Sequence, residues 1–485
     1  NIKRNQLDYI LTDMLPTELS ERFTFFYFYE FLMTKRKELK QMNNFLISVK
    51  NKYKTGIMFE GGGSGHGGHK GNNWVTMPLK YSIMKELHTV REISLVQPLA
   101  ALEMLLFVGI YQKELLNLLD KNACFSLRYH HRNNDLCYKN RNKSVIRYFS
   151  EESKQAGREV IEQTGMFFNI LPYKSISAFT SSEEWLVLNS KYAYFIKTDY
   201  KACFDSIYTH TYTWLIGKDS IDTKEFDHNS NIYSTIDRVL QNINARRSNG
   251  IVVGPEFSRM IAELMLQFID VGVNSRLLNS GVICGQDYNV YRYVDDIFIF
   301  AKTEELANLI VEMYSELARK YLLRLNESKL YRSKVPFVLE GWLIEANLFT
   351  NRICEMLFTT KEEQKAYVER EMQMENDNVR PYLLKSHVIR YGSKSKQSIM
   401  NQLNEIVCKY ETKDRTLIAY FLSAILNHVG KNKDKVRIFK KDVSESTVFS
   451  FLDLVFYAYS FFPNYNNTQK LLSIISYVRD EYDIF

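Results

Sequence analysis

A chain of 485 residues, 45% hydrophobic and 25% charged, is long enough for two or three domains and too apolar for extensive disorder. Its formal net charge of +7 suits a polyanionic partner without requiring one. Six cysteines, at 124, 137, 203, 284, 354 and 408, include no Cys-x-x-Cys pair; they offer no zinc framework and no disulfide scaffold, and favour a reducing cytoplasm.

Residues 1–55 read as helical. The run Phe23-Thr24-Phe25-Phe26-Tyr27-Phe28-Tyr29 is too continuously aromatic for a solvated face and predicts a packing arm or an oligomer contact. Residues 61–71 hold seven of the 20 glycines. Gly63, Gly65 and Gly68 have dinucleotide-site spacing but no surrounding βαβ unit, and His66 and His69 on such a loop make a poor metal site. A plain surface loop is the leading reading, with a phosphate-approaching backbone as its rival. Residues 75–190 read as mostly helical. Within them Arg128 is a candidate triphosphate clamp, since a guanidinium matches phosphate geometry; the rival is a solvated charge.

The most informative stretch follows. Val290–Val294 and Ile297–Ala301 are rich in β-branched and aromatic residues, so both read as strands, with Asp295-Asp296 between them. That pattern predicts a tight hairpin with both acids at its tip. Adjacent buried carboxylates repel and call for a cation. A third acid, Asp199, ends the strand predicted over Ala193–Asp199, which can pair beside that hairpin. Three carboxylates on one sheet suit two magnesium ions held about 3.5–4 Å apart for phosphoryl transfer. Asp205 is read instead as the N-cap of the helix that follows.

Further on, helices are predicted over 397–411, 414–429, 444–461 and 467–480. The longest apolar stretch, Val448–Phe462, contains Asp453, stops before Pro463 and is too short to span a bilayer. Lys431–Arg437, with Lys440 and Lys441, reads as a solvated basic linker, or as a nucleic-acid contact.

Asp199 with Phe204 five positions later, followed by Tyr293-Val294-Asp295-Asp296, resembles motifs A and C of reverse transcriptases. Gly250–Ser258 resembles motif B, Leu323–Lys329 motif D, and Val338-Leu339-Glu340-Gly341-Trp342 the primer-grip hairpin. Weaker likenesses at Arg91–Leu95 and Ser126–Tyr129 fall where the first finger motifs belong. Val252-Val253 replaces the Pro-Gln usual in group II intron and retron enzymes. Gly-Ile-x-x-Gly-Pro is more similar to the abortive-infection, defence-associated reverse transcriptases of bacteria.

The resemblance implies an α+β right-hand polymerase. It would have a helical N-terminal arm and Gly-rich loop (1–74), fingers (75–190) and a palm (191–335) with part of the fingers inserted at 206–250. A primer-grip and thumb-like region (336–395) and an α-helical C-terminal domain (396–485) would follow. Asp199, Asp295 and Asp296 would hold two magnesium ions, or manganese in their place, with the Tyr200 carbonyl assisting. Phe204 would pack under the sugar, Gly254 would leave backbone room at the nascent pair, and Lys329 would protonate pyrophosphate. Gly341 and Trp342 would grip the primer. Deoxynucleotides, a DNA product that some family members attach to a tyrosine, an RNA template and a second copy of the chain are the implied partners, in the bacterial cytoplasm and away from membranes. Two other readings stand beside this one: a conventional RNA-templated enzyme of retron or intron type, and a non-catalytic nucleotide or nucleic-acid sensor built on the same fold.

Overall fold

The computed structural model describes residues 3–16, 19, 23–34, 75–86, 89–138, 162, 165–216, 231–337, 341–359, 393–410, 414–431, 438–440 and 443–482. The loop at 61–71, the basic run at 432–437 and Tyr391 lie outside the described residues. The chain divides into two compact units: Asn1–Tyr81, Glu92–Asn140 and Ala156–Phe337; and Ser82–Arg91, Arg141–Gln155 and Val338–Phe485. Strands and helices are both abundant, and the class is α+β.

Strands β1 (Leu79–Glu86) and β2 (Thr89–Leu95) form a two-stranded ribbon. The short β3 (Arg128–His131), β4 (Cys137–Tyr138), β5 (Gly165–Met166) and β6 (Asn169–Pro172) pair as β3 with β6 and β4 with β5. The described residues of 75–190 are therefore mixed rather than mostly helical. Strands β3 to β6, of two to four residues, are too short to show a period of two, and the long helix Pro98–Asn122 dominates the sequence pattern.

The first unit is organised by β7 (Tyr194–Asp199), β8 (Tyr288–Tyr293), β9 (Asp296–Ala301) and β10 (Tyr331–Lys334), an antiparallel sheet in the order β10-β7-β9-β8. Alternation along β9 explains how both of its faces are covered. Ile297, Ile299 and Ala301 join the main core, whereas Phe298 and Phe300 turn to an aromatic layer of Phe179, Trp185, Phe195 and Phe337. Helix Glu304–Lys320 packs on β7 and β9 and against helix Glu256–Asn279. It starts at Thr303, whose side chain accepts the Leu306 N–H, and ends with Arg319 and Lys320 at the negative end of its dipole.

The N-terminal aromatics split by helical period. Phe25 and Tyr29 are buried in the core, while Phe23 and Tyr27 are exposed. Helix Asp8–Thr12 before them is wholly buried, so this part packs into the first unit.

The second unit contains helices Gly341–Leu357, Ser393–Lys409, Asp414–Lys431, Glu445–Phe461 and Tyr465–Tyr482 around a separate core that includes Phe349, Phe421, Phe439, Phe451 and Ile474. The helix starting at Gly341 corrects the primer-grip expectation. Trp342, Ala346, Phe349, Ile353 and Leu357 are buried at helical spacing, and Trp342 meets Tyr420 edge-on at 6.1 Å. Gly341 and Trp342 are the first turn of a helix rather than strand residues, and residues 338–340 lie outside the described residues.

Candidate active site

The chemistry-bearing acids come from two neighbouring strands. Asp199 is the last residue of β7 and lies directly opposite Asp296, the first residue of β9. Tyr293 pairs with Asp296, so Val294 and Asp295 form a two-residue hairpin loop. Asp295 is thus the tip and Asp296 already belongs to the strand, one step inward from the expected placing. The Tyr200 N–H donates to the Asp295 carbonyl at 3.3 Å, tying the end of β7 to that tip.

Burial and mutual repulsion shape the electrostatics. Burial, then the Asp296 charge and to a lesser degree that of Asp199, push the Asp295 carboxyl up. Asp199 is 5% exposed, and its Oδ1 is buried with no hydrogen-bond partner. Its Oδ2 accepts from Lys329 Nζ at 2.7 Å, and Lys197 Nζ lies 3.3 Å from Asp296 Oδ1. Burial works against the Lys329 charge, but the Asp199 hydrogen bond and the three acids together raise its pKa, so it stays protonated at neutral pH. Among the described residues no three His, Cys, Asp or Glu side chains converge as a ready-made metal cluster. The orphaned Asp199 Oδ1 and an all-carboxylate donor set nevertheless fit a hard divalent cation.

Sequence reasoning missed what holds the hairpin. Arg292, on β8, is completely buried. Its Nε donates to Asp270 Oδ2 at 2.7 Å, and its Nη1 and Nη2 donate to the two Glu263 oxygens at 2.8 Å each. Nη1 also reaches the Val294 carbonyl at 2.8 Å. Val294 has φ +57°, a region β-branched residues avoid, so this bond secures a strained turn residue next to Asp295. Two acids on helix Glu256–Asn279 thus grip the loop through one guanidinium. Ser126 and Tyr314 complete the network by donating to Glu263 and Asp270. Arg292 beside the acids was visible in the sequence, but its partners lie more than twenty positions away.

Phe204 lies in the short helix Cys203–Ser206, partly buried against the main core, and its carbonyl accepts the Ile251 N–H at 2.9 Å. The structure therefore brings Phe204 and the 250–254 loop together. Asp205 does not cap this helix: the N-cap is Ala202 with φ 47°, and Asp205 stands exposed within the first turn.

Gly254 has φ +144°, and a Cβ there would sit 2.6 Å from Pro16 Cγ and 2.8 Å from the Ser94 carbonyl. Its open side is taken by the N-terminal segment rather than left as room for a base pair. The Asp13 carbonyl likewise accepts the Glu256 N–H at 2.8 Å, where the helix begins.

Arg128 departs from the clamp expectation. It is largely buried and donates to Glu256 Oε1 at 2.7 Å; His130 contacts the same oxygen and Arg259 the other. Burial tends to raise the Glu256 pKa, but the Arg128 and Arg259 charges, helped by the His130 hydrogen bond, hold it well below the usual carboxylate range. The guanidinium is thereby committed to an internal carboxylate.

Residues 153–342 match the family described as reverse transcriptase (RNA-dependent DNA polymerase). The chain therefore contains a reverse transcriptase domain. No curated protein matches it. Solved structures similar to it include apo telomerase from Candida tropicalis, at 11% identity and TM-score 0.31 over 90% of this chain and 73% of that one. Telomerase from Candida albicans in complex with the TWJ fragment of telomeric RNA is similar at 12% identity and TM-score 0.25, over 64% of this chain. The chain spans about half the length of that protein, 51%.

Proposed function

We propose that this chain adds deoxynucleotides to a hydroxyl terminus at the β7–β9 site. The carrying observation is the register that sets Asp199 opposite Asp296 with Asp295 in the adjoining loop. In the reaction the hydroxyl oxygen bonds to the α-phosphorus, the bond to pyrophosphate breaks, and the hydroxyl proton passes to solvent water. Asp199, Asp295 and Asp296, with the Tyr200 carbonyl, would hold divalent cations, which when bound lend Lewis acidity to the attacking and leaving oxygens. Lys329, protonated beside Asp199, supplies the proton for departing pyrophosphate. Phe204 selects the sugar. Arg292 keeps Asp295 at the hairpin tip through the Val294 carbonyl.

At the finer level the chain is a defence-associated enzyme of the abortive-infection kind, working in the bacterial cytoplasm and priming on a protein tyrosine. The motif B loop supports this reading. Val252 is buried in the core, and Pro16 packs on Gly254, an arrangement unlike an open seat for a template base. Among the described tyrosines, Tyr459 bonds Thr468 and Tyr465 accepts from Gln469, and neither is singled out as primer.

The test is incubation with magnesium and each labelled deoxynucleotide, with and without added RNA template. Incorporation without template, with label on a tyrosine peptide after proteolysis, supports the finer reading. Incorporation that needs template and leaves the protein unlabelled supports conventional reverse transcription. No incorporation under either condition overturns both.

A further inference from the structure

The alternation of β7 places Lys197 two residues before Asp199, on the same face of the sheet. Opposite them on β9 stand Phe298 and Asp296, paired with Lys197 and Asp199 in that order. Lys197 is therefore diagonal to Asp296, and its Nζ lies 3.3 Å from Asp296 Oδ1 and 5.3 Å from the Phe298 ring centre. From the other side, Lys329 Nζ comes within 2.7 Å of Asp199 Oδ2 from the turn Glu327–Lys329. Two ammonium groups thus engage two of the three clustered acids. Asp199 Oδ1, which neither reaches, is buried without a hydrogen-bond partner.

We propose that Lys197 and Lys329 are resident counter-ions of the acidic site, holding Asp296 and Asp199 while it is metal-free and competing with the divalent cation for them. The inference rests on the reading of these acids as cation ligands. Carboxylates set on neighbouring strand ends and the adjoining loop repel one another, and two tethered positive charges relieve that strain without closing the site. A cation must then displace the ammonium groups, so the pair sets the concentration at which it binds. Both lysines are partly exposed, with side-chain accessibilities of 25% for Lys197 and 58% for Lys329, so neither is locked in place.

Titration of the full-length chain with Mn²⁺ alone, followed by calorimetry, tests this. Lys197→Met and Lys329→Met should each bind Mn²⁺ more tightly, by roughly two- to fivefold, the range a partly exposed ion pair supports. The double variant should exceed either single change. In the parental chain Mn²⁺ should also increase acylation of Lys197 and Lys329 by an amine reagent, while the exposed Lys320 is unaffected. Unchanged or weaker Mn²⁺ affinity in both lysine variants, with binding still abolished by Asp295→Asn, would overturn the counter-ion role alone. If Asp295→Asn leaves parental Mn²⁺ binding intact, the acids are not the cation site, and this inference falls with that reading.

Discussion

Asp295 is held in a surrounding that disfavours its own charge, through burial first and then the Asp296 and Asp199 carboxylates. Such a position is tolerable only if the charge is used. Asp295→Asn keeps the shape and removes the repulsion, so the metal-free protein should melt no lower than the parent. Nucleotide incorporation should fall by about 10²–10³-fold or more, as when a principal transition-state contact is lost. Parental turnover in a folded Asp295→Asn chain would refute the assignment. Phe204 carries a different dependence. Its ring is partly buried and its backbone is bonded to Ile251, so it is positioned by the 250–254 loop. A ring under the incoming sugar excludes a 2′ hydroxyl by volume and offers it no hydrogen-bond partner. Phe204→Ala should lower deoxynucleotide preference over ribonucleotides by roughly tenfold or more. Steady-state competition between the two nucleotide types measures it, and unchanged selectivity would make Phe204 a core residue only.

Helix Glu256–Asn279 and the β8–β9 hairpin meet through charge. One Arg292 guanidinium faces both Glu263 and Asp270, so the buried group carries more negative than positive charge. Burial pushes the Asp270 carboxyl up to about 6, with Glu263 adding to the rise, while Arg292 and the Tyr314 hydrogen bond oppose it. A raised folded pKa means that the folded chain holds this proton more tightly than the unfolded chain. The resulting stability is fully present below the ordinary carboxylate value and is lost as pH rises through about 6, amounting to about 2–3 kcal/mol at most. Asp270→Asn cannot titrate. The melting temperature of the parent relative to this variant should therefore drop between about pH 4 and 6.5, and a constant difference would show that Asp270 stays ionised throughout. This network also marks where the sequence stopped being legible. The acids could be read because β-branched flanks announce strands and adjacent carboxylates announce a cation. Arg292 could not, because only the tertiary pairing of hairpin and helix brings Glu263 and Asp270 to it. Gly254 was recognisable as a special position, but the Pro16 contact that uses it comes from a segment far away in the chain. Gly341 and Trp342 were misread for a different reason. Five residues taken as a hairpin hid a 3.6-residue period that runs on to Leu357.

On the scale of the whole chain, apolar residues gather into two separate cores. One runs from Tyr9 through Ile261 to Ile299, and the other from Trp342 through Phe421 to Ile474. A hydrophobic core is the usual basis of a cooperative unit, and two cores in one chain predict two unfolding transitions. The C-terminal helices were foreseeable because amphipathic periods over fifteen or more residues are the most readable pattern in any sequence. A separate helical domain over 396–485 was expected; that helix Gly341–Leu357 shares its core was not, because its first turn had been assigned to the primer-grip region. Calorimetry on the full chain should resolve two endotherms. Phe421→Ala, at a site 1% exposed in the second core, should shift only one of them, at a cost of about 3–5 kcal/mol to that unit. Ile299→Ala, fully buried on β9, should shift only the other, by about 2–5 kcal/mol. Loss of nucleotide incorporation on heating should then follow the Ile299-sensitive transition, because that unit holds Asp199, Asp295 and Asp296. A single transition displaced equally by both substitutions would mean that the two cores fold and melt as one.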